Sequence, residues 1–378
     1  MKKVLRILCA AVLLSIFLFS FGGCWSADEI NTKAIIMGIS VDFAEDGEKY
    51  LVTAQIAVPS QLKSDSAGSE KAYINAAAEG AGIQATLHEF ESSLSRKIYT
   101  GHTELIIFSE EVAKSGLSPV LDYFYRSSEA RFSVPIIIAE GKAADLLDTK
   151  VDLEKMPVSR ILGILANHGS DVIMSQTTMG DLLREMVTKN SATTLALFST
   201  ADERPAMNKA AVIKGDKMIG SLSIEQQHYE LLVNGEYEEG IIVCKINDDK
   251  VVSFRITKCV TEQDLKYENG EFSVDIDIYI TAQISGVTFG GEEYTTEARK
   301  EIEQILHDFV TDRIMEVLQI TKDMNADTVG LCEMLYRKYP RESKELLENW
   351  DENYKNFPIN VMVSAKLTAT GAVQERIK

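Results

Sequence analysis

Apolar and polar positions alternate over residues 34–43 (AIIMGISVDF) and 50–59 (YLVTAQIAVP), with Glu45-Asp46-Gly47 between them. The pattern predicts two antiparallel strands joined by a turn. Residues 60–71 are small and polar and read as a loop. From Ala72 to Lys97 the residues Ile74, Ala77, Ala78, Ala81, Ala85, Leu87, Phe90 and Leu94 recur mostly at spacings of three and four. That period predicts one helix with a buried stripe, weakened in its middle by Gly80 and Gly82. A strand at 103–109, a helix at 111–127 that Pro119 starts or breaks, and a strand at 133–141 follow. Short helices are expected at 142–149, 157–168 and 179–188. Strands alternating with helices predict a mixed α/β domain over 34–200, and residues 199–209 (STADERPAMNK) read as a linker.

A second domain is expected over 205–378. It opens with a hairpin around Gly215-Asp216 and a helix that Gly235 ends. A further hairpin turns at Asn247-Asp248-Asp249-Lys250. The stretch FSVDIDIYITAQIS puts Phe272, Val274, Ile276, Ile278 and Ile280 on one face and polar residues on the other, a strand buried on one side. The longest helical pattern runs from Glu297 to Ile320, helices follow at 327–339 and 342–354, and INVMVSAKLTATG closes as an alternating strand. A further division into a β-rich part (205–265) and an α/β part (266–378) is left open by the pattern. The expected class is α+β: a multi-domain, mixed α/β chain with mostly antiparallel or mixed sheets packed by helices.

The first residues change the picture. Lys2, Lys3 and Arg6 precede an apolar run from Ile7 to Phe21, the layout of an export signal over 1–23. Fifteen residues fall short of the roughly 20 that span a bilayer as a helix. Phe21-Gly22-Gly23-Cys24 resembles a bacterial lipobox, in which small residues precede a cysteine that receives a diacylglycerol thioether. Cys24 is therefore the candidate lipidation site and residues 24–33 its tether. Phe21 stands where Leu is usual, and cleavage after Gly22 without lipidation is the alternative.

The 378 residues carry 39 Lys and Arg against 57 Asp and Glu, a net charge of −18. Such an acidic chain lacks the basic footprint that phosphate backbones attract, which argues against nucleic-acid binding. Catalytic and metal motifs are scarce, and no cofactor is expected. His102 and Glu104 form a His-x-Glu pair at the start of a strand, but two ligands on one strand do not close a site. Asp275 and Asp277 share a strand face, which in so acidic a chain reads as a solvated face before it reads as a carboxylate pair for catalysis. Cys244, Cys259 and Cys332 show no metal spacing, and the hairpin register places Cys244 opposite about position 253, so Cys244 and Cys259 read as buried free thiols.

Several of these segments resemble one family. The lipobox followed by Cys24-Trp25-Ser26-Ala27-Asp28-Glu29-Ile30-Asn31, then GISVD, is similar to the opening of the Ger(x)C family, the lipoprotein subunit of nutrient germination receptors in spore-forming bacteria. Residues 101–147 carry its H-x-E strand, L-x-P-x-L-D helix and R-x-x-E-x-R step, and residues 211–235 its K-x-D-K-x-x-G-x-L hairpin. Residues 322–371 carry D-x-x-G, Y-P, N-W-D and a terminal Gly, with Ser343 where the family usually has Trp. The resemblance implies a non-catalytic subunit held by Cys24 at the outer face of the spore inner membrane. It also implies two kinds of integral-membrane partner, the A- and B-type subunits of the same receptor. The rival readings are a cell-wall hydrolase, which needs converging carboxylates or a Cys/His couple, and a solute-binding lipoprotein, which needs two similar lobes that these unlike halves do not provide.

Overall fold

The computed structural model describes residues 3–8, 10, 32–62, 71–166, 176–237, 239–247, 250–287 and 296–368. The first sheet contains β1 (Lys33–Phe43), β2 (Tyr50–Ala57), β3 (Tyr73–Gly80), β4 (Lys97–Tyr99), β5 (Leu105–Ser109), β6 (Ile136–Ala139), β7 (Ala192–Ala201), β8 (Arg204–Lys214) and β9 (Lys217–Ser223). Its order is β3-β2-β1-β5-β6-β7-β8-β9, with β4 pairing to β1. The middle of the sheet, β1-β5-β6-β7, is parallel and both ends are antiparallel. Parallel strands need cover on both faces. Accordingly Ile106, Phe108, Ile136 and Ile138 point into one apolar cluster, and Leu105, Ile107, Ile137 and Ala139 into another.

The helices of this half are α1 (Pro59–Leu62), α2 (Ile83–Ser93), α3 (Glu110–Ser115), α4 (Ser118–Arg126), α5 (Ala143–Leu147), α6 (Pro157–Ala166) and α7 (Met179–Val187). Pro119 starts α4, where a missing N–H costs nothing. The GISVD segment shows how a short polar motif positions a helix. Asp42 on β1 is buried, and its carboxylate accepts from the backbone N–H of Ala143 (2.6 Å) and Ala144 (3.0 Å) at the start of α5. At the other end of α5, the Leu147 carbonyl accepts from Gln55 Nε2 and Asn75 Nδ2, while Gln55 Oε1 accepts from Val158 N–H. Gly38 lies under this brace, where an added Cβ would stand 2.3 Å from Val158 Cγ2. Gly38→Ala is expected to destabilise the protein by about 1–3 kcal/mol through overpacking, read as a lower denaturant midpoint with an unchanged slope.

The second half contains α8 (Ile224–Asn234), β10 (Gly240–Asn247), β11 (Lys250–Glu268), β12 (Glu271–Val287), α9 (Thr296–Asp323), α10 (Leu331–Lys338), α11 (Lys344–Glu348), α12 (Trp350–Asn356) and β13 (Ile359–Leu367). Its sheet runs β10-β11-β12-β13, antiparallel except for the parallel β12–β13 pair. One face packs against α9 around Leu306, Val310, Ile314 and Val317, with Trp350 and Tyr354 in the same core. The mixed α/β class, the one-sided β12 and the Gly235 cap (φ 71°) agree with expectation. Cys244 pairs with Val252 and Cys259 with Ile280, so these thiols do not meet across the hairpin.

Two expectations need correction. Residues 73–80 form an edge strand paired with β2 from Tyr50–Gly80 to Ala57–Tyr73, and only 83–93 are helical. Alanines at spacings of three and four fit either period, so strand pairing decided the outcome over helix propensity. The supposed linker at 199–209 is a tight hairpin whose turn residues Asp202 and Glu203 have φ of 50° and 61°, and it carries β8 and β9 into the first sheet. The expected domain division at 200/205 falls in this hairpin, and β11 is one continuous strand over 265/266.

Candidate functional site: an acidic cleft at the junction of the two sheets

The halves are joined by buried chemistry. Ile320, Met324 and Ala326, at and just beyond the end of α9, pack into the apolar cluster on one face of the first sheet. Asp327 follows, 1% exposed. Its carbonyl accepts from Ala192 N–H at the start of β7, and its carboxylate accepts from the N–H groups of Leu331 (3.0 Å) and Cys332 (2.7 Å) at the start of α10. Burial pushes the Asp327 carboxyl up to about 6, against the lowering effect of these donors and of the Trp350 indole. Lys214 on β8 donates to the Asn325 carbonyl (2.9 Å) and to Asp351 (2.6 Å). The K-x-D-K landmark, more than 100 residues before the D-x-x-G and N-W-D landmarks in the chain, thus meets both at one seam.

Beside the seam lies a cleft of about 230 Å³. Glu185 on α7, Glu230 and Asn234 on α8, Glu236 just beyond it, and Thr328 and Glu333 around the start of α10 line it, and its lining holds no Lys, Arg or His. Glu230 is 4% exposed. Its Oε2 accepts from Gln227 Nε2 (2.8 Å) and its Oε1 from Asn234 Nδ2 (2.7 Å). Gln227 also reaches Thr194 Oγ1 on β7, and Asn234 the Thr328 carbonyl, so this network ties the first sheet, α8 and the segment before α10 together. Burial, and then the charge of Glu236, push the Glu230 carboxyl up to about 8. Partial desolvation followed by the charges of Asp181 and Glu185 raises Glu236 as well. Glu185 accepts from the Ser191 hydroxyl. Two buried oxygens near Glu230, Gln227 Oε1 and Asn234 Oδ1, make no hydrogen bond among the described residues, whereas the Thr328 side chain hydrogen-bonds the Glu230 carboxyl and opposes its rise.

The residues singled out in the sequence lie elsewhere. Cys24 is outside the described residues. His102 and Glu104 are exposed, and His102 sits edge-on to Tyr99 at 5.5 Å between ring centroids. Asp275 is engaged by Lys266 and by Asn360 Nδ2 (2.8 Å) on an open sheet face, which lowers its carboxyl. Burial pushes Cys244 up to about 12 and Cys259 and Cys332 to about 11, which leaves all three as unreactive thiols. Ser343, where a Trp is usual, is fully buried and donates to the Tyr339 carbonyl at 2.6 Å.

Comparison with known proteins decides the family. Residues 26–200 match the model described as the spore germination protein N-terminal domain, and residues 208–371 match the spore germination B3/GerAC-like C-terminal model. The chain belongs to this family. Among its relatives in Bacillus subtilis (strain 168), spore germination protein YndF is 25% identical, with 99% of each chain covered. Spore germination protein KC from the same organism is 24% identical, with 97% of each covered. The crystal structure of the GerBC protein superposes with a TM-score of 0.60 at 18% identity, over 88% of this chain and 97% of that one, and so shares the fold. As a germination protein of the GerC type, the chain carries the family's landmarks at its interdomain seam. The boundary between the two family models falls within the β7–β8 hairpin region, so the partition by homology cuts a continuous sheet.

Proposed function

We propose that this protein is the membrane-anchored, non-catalytic subunit of a spore nutrient-germinant receptor, held by a lipid on Cys24 and working beside integral-membrane A- and B-type subunits at the outer face of the spore inner membrane. The observation that carries the reading is the pair of germination-family matches that together span residues 26–371 with little interruption. Relatives named spore germination protein A3 and B3 support it over 95% and 94% of this chain. Among the described residues no helix is long and apolar enough to cross a membrane, and this reading calls on a lipid for attachment. The acidic surface does not supply one. Without residues 1–23 the chain carries 36 basic and 57 acidic residues, a charge of −21, whereas each Lys or Arg near an anionic surface contributes roughly 1 kcal/mol of attraction. A diacylglycerol brings two acyl chains at about 0.8 kcal/mol per buried CH₂, which meets the requirement for stable anchoring. The tether 24–33 spans at most roughly 35 Å, which keeps β1 within reach of partners in the same bilayer. Cys24→Ser is expected to leave a folded protein that fractionates away from membranes, in spores with a reduced response through this receptor. Retention of the variant in the membrane fraction would sink the lipobox and this mechanism together.

A further inference from the structure

We propose that the open face of the second sheet docks on the same face of a second copy of this chain. Along β12 the even-numbered residues from Phe272 to Ala282 are buried in the core with α8 and α9, and the odd-numbered ones point the other way. Strand register fixes what that open face carries. Val260, Tyr279 and Ser364 form one row across β11, β12 and β13, and Met362 lies beside it on β13. Val260, Tyr279 and Met362 are 39%, 46% and 63% exposed, so apolar side chains stand at the centre of the face. Toward Val287 the next rows are basic: Lys258 and Lys366 flank Thr281, and Arg255 lies opposite Gln283. Toward Glu271 they are acidic: Glu262 lies opposite Asp277, and Asp264 opposite Asp275.

An antiparallel sheet can simply keep one face in water, but a solvated face has no reason to sort its charges by sign. Like charges directly opposite each other on neighbouring strands are destabilising, and here two such pairs lie in succession. The outer pair is neutralised from within, since Lys338 reaches Asp264 (3.1 Å) and Lys266 and Asn360 engage Asp275. Among the described residues Glu262 and Asp277 meet no cation, and Lys258, Lys366 and Arg255 meet no carboxylate. A two-fold axis along the Val260–Tyr279–Ser364 row lays each basic row over an acidic row of the other copy, because the rows lie equally far on either side of it. Lys258 then faces Glu262 of the second copy, Arg255 its Asp264, and Lys366 covers its Met362 beside Asp277. Every contact occurs twice, as in any isologous pair. The face is thus complementary to itself, which selects a second copy over an unlike partner. Stacked sheets lie about 10 Å apart, a gap that facing long side chains close. Three strands about 4.8 Å apart and 9 residues long make a face of roughly 15 Å by 30 Å, so two copies would bury on the order of 1,000 Å², the lower end for a specific interface. The chain's net negative charge opposes association at long range, and salt screens it beyond about 8–10 Å.

The test is sedimentation equilibrium of the full chain in a density-matched detergent. A contact of this size is expected to give a reversible dimer at concentrations on the order of 10 µM. Lys258→Glu and Glu262→Lys alter exposed residues and should leave the thermal melt in place. Each nevertheless sets like charges face to face across the axis and should weaken the dimer on the order of tenfold or more. An equimolar mixture of the two variants should associate as the parent does, since each copy then offers the charge that the other lacks. Three results would overturn the proposal. One is a parent chain still monomeric at about 100 µM, which would leave the face to a different subunit. The others are single variants that dimerise as the parent does, or a mixture that stays monomeric. None of these outcomes bears on whether Cys24 anchors the protein.

Discussion

A chain ending at Asn356 is expected to lose the cooperative fold of its C-terminal half. The truncation removes β13, which pairs with β12 at nine positions from Val274–Ile359 to Ala282–Leu367. It also takes Phe357, Val363 and Leu367 out of the core, each at most 4% exposed, and the partly buried Ile359, Val361 and Ala365 with them. Each large apolar side chain contributes about 1.5–3 kcal/mol on burial, so the three most buried residues alone account for much of a total stability of roughly 5–15 kcal/mol. The long helix α9 loses its partners as well. Glu303 no longer receives Leu367 N–H (2.8 Å), Lys322 no longer reaches the Phe357 carbonyl (2.8 Å), and His307 no longer meets the Val363 carbonyl. Trp350, which meets Phe357 edge-on at 5.5 Å between centroids, reports the change. Its emission should shift to the red, and the near-ultraviolet dichroism of this half should vanish. A truncated chain that melts as the intact one does would show that β13 is dispensable.

Elements were legible in the sequence where large apolar residues kept one period. In β12 isoleucines alternate with aspartates, in α9 apolar residues recur by helical turn, and β13 alternates to its end, so each could be read without knowing its partner. β3 could not, because Ala76, Ala77 and Ala78 are too small to declare a face and the decision fell to pairing with β2. The β7–β8 hairpin was hidden for another reason. Asp202, Glu203, Arg204 and Pro205 are turn and linker residues by composition, and only the positive φ of Asp202 and Glu203 makes them a tight turn. The seam was half visible. Asp327, Lys214 and Asp351 stood within recognised landmarks, but their convergence depends on three-dimensional packing that no local spacing encodes. The cleft did leave a signal. Gln227, Glu230 and Asn234 lie three and four residues apart, a polar stripe on a helix that otherwise buries Tyr229, Leu231, Leu232 and Val233. A polar stripe at helical period inside an apolar helix has to be satisfied by something, and that requirement is readable in advance.

That stripe also sets how stability responds to pH. The Glu230 carboxyl rests at about 8 in the folded protein against 4.5 for an unburied glutamate, so between these limits the folded state holds a proton that the unfolded state has released. Stability then falls as pH rises, by up to about 1.4 kcal/mol per unit for one group. The contribution is fully present below pH 4.5 and is lost as pH passes through about 8. Asp327 acts in the same direction over the lower window between 3.8 and about 6. His228, held at about 4 by burial, acts in the opposite direction between about 4 and 6.5, so the whole-protein curve is a mixture. Glu230→Gln isolates one component. Glutamine matches the protonated carboxyl in shape, and its amide can donate to Gln227 Oε1 or Asn234 Oδ1, the oxygens that lack a partner in the parent. At pH 5 the variant and the parent should have similar denaturation midpoints. By pH 8 the variant should be the more stable by a few kcal/mol, with the gap opening steadily between the two and levelling off above. Parallel curves for variant and parent across that range would show that Glu230 is already ionised in the folded protein, and that the cleft holds its charge by some means other than a bound proton.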